Sequence, residues 1–243
     1  VTGPQGLALA ACLLLMVVAS SVWLAARPGS FSTAVGEQQM ATLEDGTRIT
    51  LNTDTRLRVR YADHQRSVMI DRGEAMFEVA PNPRRPFVVT AGGTKVRALG
   101  TSFIVRRVGG NVVVTLVQGK VSVTDAASGP GGAAKAANEA ILAPGERLIV
   151  TDNAMTQIDR PSIEAVTAWR RGQAIFADTP LSAAVAELNR YGGPHVVLGD
   201  PRLASLRVSG VFATNDTVEF ATAVAALHGL EVERGRDEVA IVR

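Results

Sequence analysis

Apolar and polar residues alternate with a two-residue period through residues 72–105, RGEAMFEVAPNPRRPFVVTAGGTKVRALGTSFIV. Ala75, Phe77 and Val79, then Phe87 and Val89, then Val96 and Ala98 fall on one side of an extended chain, the pattern of strands with one buried face. Helical spacing is absent. The same alternation predicts strands at 40–43, 48–51, 57–61, 66–70, 75–79, 87–90, 95–99, 102–107, 112–118 and 120–124. Gly73, Gly92-Gly93, Gly109-Gly110 and Gly119 punctuate them. Between the first two, Glu44-Asp45-Gly46-Thr47 predicts a hairpin, because Asp-Gly supplies the positive backbone dihedrals of a tight turn. So many short strands at near-regular spacing indicate an all-β domain.

Residues 125–138, DAASGPGGAAKAAN, lack large apolar side chains and predict a flexible loop. Short strands resume at 140–142 and 147–150 across the Pro144-Gly145 turn signal, and the β domain is expected to close near Ile158. The pattern then changes. A connecting helix is expected from Ser162 to about Trp169, then a strand at 174–176. A longer helix follows, with Thr179 as N-cap and Pro180 at the first helical position, where Leu181, Val185 and Leu188 make an apolar stripe. After Tyr191-Gly192-Gly193-Pro194 come strands at 195–198 and 206–211. A second helix opens at Asp216, with Glu219 three residues on as in a capping box. Val218, Ala221, Ala225 and Leu227 or His228 form its expected buried side, and Gly229 stops it. Strands at 230–233 and 239–242 complete a β-α-β-β-α-β-β order.

The one long apolar run, residues 7–26 (LALAACLLLMVVASSVWLAA), carries no charge and has about the 20 residues a bilayer crossing requires. It reads as a membrane anchor. A cleaved signal peptide is the competing reading, but its apolar core is usually only about 7–15 residues and follows a basic start. The chain begins with Val1 rather than Met, so it is expected to be the downstream part of a longer polypeptide. A short joint, Pro28-Gly29-Ser30, separates the run from the strands.

Composition narrows the chemistry. The 243 residues carry a formal net charge of +2 and a pI near 9.0. The excess of arginine is spread along the chain. Arg84, Arg85, Lys95, Arg97, Arg106 and Arg107 come nearest to a cluster, and on alternating strands they read as a solvated sheet face rather than a nucleic-acid patch. One cysteine, Cys12, excludes a disulfide or Cys-based metal site within the chain. His64, His195 and His228 show no metal-ligand spacing, the serines lack a GxSxG elbow, and the paired glycines precede no helix that would hold a phosphate. No metal or cofactor is expected. Glu74 and Glu78 on one strand face read as solvated charges rather than an acid-base pair.

Several spaced motifs carry a resemblance: GEQQMATLEDGTRITLNTDTRLRV from Gly36, RGEAMFEV from Arg72, RPFVV from Arg85, ALGTSFIV from Ala98, VTLVQGKVSV from Val114 and LAPGER from Leu142. Together they resemble the periplasmic domain of the FecR family, transmembrane regulators of extracytoplasmic-function sigma factors. WRRGQAIFADTPLSAAVAELNRY, from Trp169, is similar to the short N-terminal domain of secretins and TonB-dependent receptors. The resemblance implies a mainly β chain with a small α+β module. A transmembrane anchor at 1–27 would lead into an all-β domain with a twisted, solenoid-like sheet at 28–160 and a two-helix signalling module at 161–243.

It also implies a single-pass protein of the bacterial inner membrane with its bulk in the periplasm, and no nucleic-acid partner. A TonB-dependent transporter's periplasmic signalling domain would be the input. The sigma factor would bind through a cytoplasmic segment not present here. An envelope structural or carbohydrate-binding protein is the alternative. Some family members resemble proteins that self-cleave at a Gly-Thr bond, which places a candidate scissile bond at Gly100-Thr101; otherwise no enzyme activity is expected. For the partner surface the candidates are Trp169 and Arg170, of types common at interface hot spots, and an open sheet edge at Leu206, Val208 and Val211. Trp169 has a competing reading as packing for the junction between the domains.

Overall fold

The computed structural model describes residues 29–125, 138–151 and 154–243. The apolar run at 7–26 and the expected loop 126–137 lie outside the described residues. Among those described, no helix is long and apolar enough to cross a membrane.

The protein is mainly β. Thirteen strands form one curled antiparallel-rich sheet among the described residues: β1 (Gly29–Ser32), β2 (Gln39–Thr42), β3 (Arg48–Leu51), β4 (Arg56–Ala62), β5 (Gln65–Glu78), β6 (Phe87–Ala91), β7 (Thr94–Ala98), β8 (Ser102–Val108), β9 (Asn111–Gln118), β10 (Val121–Asp125), β11 (Asn138–Leu142), β12 (Arg147–Thr151) and β13 (Ala154–Asp159). Alternation has the predicted consequence. Leu57, Ile70, Phe77, Phe87, Val89, Val96, Phe103, Val114 and Leu148 are all at most 1% exposed and share one core, with Phe77 stacked on Phe103 at 5.3 Å between ring centroids.

Four details differ from the expectation. Gly29 and Ser30 belong to strand β1, paired with β4, rather than to a joint. The two strands predicted around Gly73 are one, β5. Its first part pairs with β4 and β6, and the part from Gly73 onward pairs with β3 and β8. Gly73 therefore bends the strand between the two halves of the sheet instead of ending it. It has a φ of 89°, and a Cβ there would lie 2.4 Å from Thr55 Oγ1, so only glycine fits. In the first hairpin only Gly46 takes positive φ; the turn has three residues between the Leu43 amide and the Thr47 carbonyl it bonds at 2.8 Å, the bulged form of a hairpin loop. Finally, β13 follows β12 as an edge strand that the apolar pattern did not mark.

The C-terminal module has the predicted order. Helix α1 (Ile163–Thr167), capped by the Ser162 side chain, runs into a 3-10 turn over Ala168–Arg171. Then follow β14 (Gln173–Pro180), α2 (Leu181–Leu188), β15 (His195–Leu198), β16 (Arg207–Ala213), α3 (Thr217–His228), β17 (Glu231–Arg234) and β18 (Glu238–Val242). β14 pairs with β16, and β15 lies parallel to β18 in a three-stranded sheet with β17. Phe176, Phe212 and Phe220 meet at 5.0–6.2 Å in its core.

Two helix starts differ in kind. Thr179 does not cap α2: its residue and Pro180 pair with Val208 and Arg207 as the end of β14, and the Leu181 amide bonds the Leu206 carbonyl at 2.7 Å instead. Asp216 does cap α3, accepting from the Glu219 amide at 2.8 Å. The buried side of α3 is Thr217, Phe220, Ala221, Val224 and Ala225. Leu227 is 67% exposed, because the helix lies over the sheet on its 220/224 face.

Candidate functional site

Where the two cores meet, the outward face of β5 and β8 is covered rather than solvated. Met76 and Ile104 pack with Trp169 and Tyr191 in a small third cluster. Trp169 arrives on the 3-10 turn after α1, and Tyr191 on the 3-10 turn after α2. The turns end at Gly172 and Gly192, both at positive φ.

Around this cluster runs a polar network. Arg190 Nη2 donates to Glu74 Oε2 at 2.8 Å and its Nη1 to Glu187 Oε1 at 2.6 Å. Arg106 Nη1 meets the other Glu187 oxygen at 2.8 Å. The Asn52 amide donates both to Glu74 Oε2 and to the Tyr191 hydroxyl, each at 2.9 Å. Thr53 Oγ1 donates to the Arg190 carbonyl at 3.0 Å, and Gln38 Nε2 to the Trp169 carbonyl at 2.7 Å. Asn52, Glu74, Arg106, Gln38 and Thr53 come from the β domain; the rest come from the module. Burial alone would raise the Glu187 carboxyl, but Arg106 and Arg190 outweigh it and hold it below the usual range. Burial opposes the charge on Arg190 as well, yet Glu74 and Glu187 push its pKa up. Tyr191 is raised, by burial first and then by Glu187. Charges held this way fix register between two surfaces more than they add stability.

Glu74, expected as a solvated charge, is therefore buried, with 7% of its surface exposed. Arg106, expected on a solvated face, faces Glu187. Arg85 bonds the Ala62 carbonyl and lies over Tyr61, and Arg107 bonds the Ile70 carbonyl at 3.2 Å. Arg84, Lys95 and Arg97 are exposed as expected. A cavity of about 260 Å³ opens beside the network, lined by Arg106, Trp169, Gln173 and Tyr191 among others. Among the described residues no group of His, Cys, Asp and Glu could hold a metal ion.

The sequence-derived candidates fall in three places. Trp169 is 5% exposed, and Arg170 lies 3.5 Å from Glu78; both face the β domain, so the structure places them in the junction. On β16, Val208 is 1% exposed and points into the module's core, whereas Val211 is 58% exposed; Leu206, just before the strand, gives its carbonyl to α2. Among the described residues β16 pairs with no strand but β14, and the Arg207 carbonyl lies 3.2 Å from His228 Nε2. Gly100 and Thr101 sit elsewhere, in the bend between β7 and β8. Gly100 has φ 155°, with Pro81 Cα 3.0 Å from where its Cβ would be. Thr101 is 8% exposed and its Oγ1 is buried with no hydrogen-bond partner. Lys120 and Glu139 line the same cleft.

The residues that sequence reasoning missed are Asn52, Glu187, Arg190 and Tyr191. One signal was present: Met76 stands between Glu74 and Glu78, and Ile104 stands across from it, so the supposedly wet face carries two large apolar residues.

Comparison with known proteins accords with this architecture. No curated protein matches the chain by sequence. Two crystal structures of "a putative anti-sigma factor from Parabacteroides distasonis ATCC 8503" are similar to it. One has a TM-score of 0.70 at 25% identity and covers 89% of this chain and 99% of that one. The other has a TM-score of 0.71 at 26% identity and covers 88% and 99%. A share that large takes in both the β domain and the C-terminal module. Residues 30–122, the span from β1 into β10 of the curled β domain, match the family model described as FecR protein.

Proposed function

We propose that the chain is the anchoring and sensing part of a sigma-factor regulator. The observation that carries this reading is the buried network around Arg190 and Glu74, which locks a FecR domain to a βαββαββ module in a fold like that of a protein described as an anti-sigma factor. A rigid joint lets a contact made on the module displace the β domain, and through residues 1–27 whatever lies across the membrane. In this reading the chain sits in the inner membrane of a bacterium, with the module receiving the periplasmic signalling domain of a TonB-dependent transporter. The open edge of β16, with Val211 outward, is the receiving surface, since an exposed strand recruits another by backbone pairing. An extracytoplasmic-function sigma factor is the output partner.

The test is truncation before Trp169 in the source bacterium, followed by transcript measurement on adding a ferric chelate and by pull-down of the transporter's signalling domain. The response and the pull-down should both be lost. Survival of both in the truncated strain would overturn the assignment.

Thr101 supports a second activity at the same level of proposal. Its hydroxyl is buried and unpartnered, and Thr101 directly follows Gly100 in the chain. Attack by Oγ would form an ester to Gly100, break the Gly100–Thr101 C–N bond and pass the hydroxyl proton to the released amine; water would then hydrolyse the ester. A denaturing gel of envelope-made protein should show two pieces divided at that bond, the downstream one beginning at Thr101, and Thr101→Ala should leave one intact band. A single band from the wild type would refute cleavage.

A further inference from the structure

We propose that the outward face of the half-sheet built on β4, β5, β6 and β7 docks on anionic lipid headgroups. Cross-strand register defines the face. One row runs Arg58, Met69, Thr90, Lys95, and the next runs Arg60, Ser67, Val88, Arg97. Four exposed cations thus stand at the corners of a patch four strands across, about 14 Å over its three strand spacings. Such a patch spans separate headgroups rather than clamping one phosphate. Arg56 extends it along β4. The carboxylates on this face are Asp71, which Arg58 holds at 2.7 Å, and Glu139 at the β11 rim, bonded at 2.6 Å to Ser122, the cross-strand neighbour of Arg97. Five cations against two carboxylates exceed the +2 of the whole chain, so the rest of the molecule is slightly acidic. Met69, 45% exposed, lies inside the patch, and Ile141, 62% exposed, at its rim. Apolar tips among cations suit the boundary between headgroups and acyl chains.

Position selects a membrane over other polyanions. β1 is the edge strand beside β4 in this same half-sheet. It begins at Gly29, three residues after the apolar run 7–26 ends, a reach of at most about 10 Å. That distance is about one Debye length at physiological salt. The inference rests on reading the run as a membrane anchor. Docking the basic face would turn the domain flat against the bilayer, and release would let it stand away.

The test uses the full chain in nanodiscs, carrying Cys12→Ser and a fluorophore on either Met69→Cys or the distant Leu227→Cys. Headgroup-linked nitroxide lipid is the quencher. With about a third phosphatidylglycerol and about 50 mM salt, quenching at residue 69 should exceed that at residue 227 at least about threefold. The contrast should vanish at about 500 mM salt, in pure phosphatidylcholine, and in the Arg58→Gln/Arg60→Gln/Lys95→Gln/Arg97→Gln variant. Equal quenching at the two sites, or contrast indifferent to lipid charge and to the four substitutions, would overturn the proposal, including in favour of an acidic protein partner. Retention on the discs at high salt reads the anchor separately. If the chain washes off, the anchor reading fails, and salt-dependent binding of the wild type but not the variant to phosphatidylglycerol vesicles then decides the face.

Discussion

Arg190→Met should loosen the joint between the two domains without unfolding either. The side chain is 16% exposed and bridges the buried Glu74 carboxylate to Glu187. Removing it leaves Glu74 with the Asn52 amide alone and Glu187 with Arg106. Stranding a buried charge costs about 3–5 kcal/mol. Because Asn52 and Arg106 still serve the two carboxylates, we expect about 3 kcal/mol, near a hundredfold in the docking equilibrium. The loss has a ceiling. Once the module swings free, further damage to the joint costs nothing, because each domain retains its own core. Amide exchange measures this directly. Protection at the junction amides, from Asn52 to Thr55 and over 168–172, should fall about a hundredfold, while the amides of β6 and β8 stay unchanged. The double variant Glu74→Met/Arg190→Met removes both charges, so it should be less destabilised than the two single costs added together. Single costs below about 1 kcal/mol, or a strictly additive double, would refute the claim that a buried ion pair holds the domains in register.

Four further outcomes follow from the same structure. The Glu187 carboxyl is held below its ordinary 4.5, so its stabilisation is complete above that value and is lost as pH falls through the lower folded value; junction protection should drop on acidification below about 4.5, less so in Glu187→Gln. Gly73→Ala puts a Cβ within 2.4 Å of Thr55 at positive φ and should cost about 3 kcal/mol or more in denaturant unfolding, or prevent folding. Phe103→Ala, from a site 0% exposed and stacked on Phe77, should cost about 3–5 kcal/mol by the same measurement. Thr101→Val deletes a buried hydroxyl without a partner and should stabilise an uncleaved chain by about 1 kcal/mol; a loss of stability would show that the hydroxyl has a partner in solution.

Alternation determined most of the secondary structure. A strand with one buried face must place every second residue in the core, and Phe77, Phe87, Val96 and Phe103 all obeyed. The order of the C-terminal module was equally legible, since Asp216 and Gly229 mark the ends of α3 by local hydrogen bonding and φ, which need no distant partner. Ends governed by distant partners were not legible. Thr179 and Pro180 look like a helix start, but pairing with Val208 and Arg207 keeps them in β14, and a backbone carbonyl at Leu206 does the capping.

The joint was decided by tertiary structure alone. Glu74 reads as solvated because alternation reports only which face a residue takes, and the outer face of β5 is wet unless something covers it. What covers it arrives more than ninety residues later in Trp169, Glu187, Arg190 and Tyr191, and sequence spacing does not encode that meeting. Residues 72–105 by themselves thus specify an inner face that folds the β domain, and the outer face acquires its meaning only when the module docks. Gly73 shows both levels in one residue: a strand breaker by sequence, and in the fold the bend that lets β5 serve both halves of the sheet, because Thr55 stands where a side chain would be.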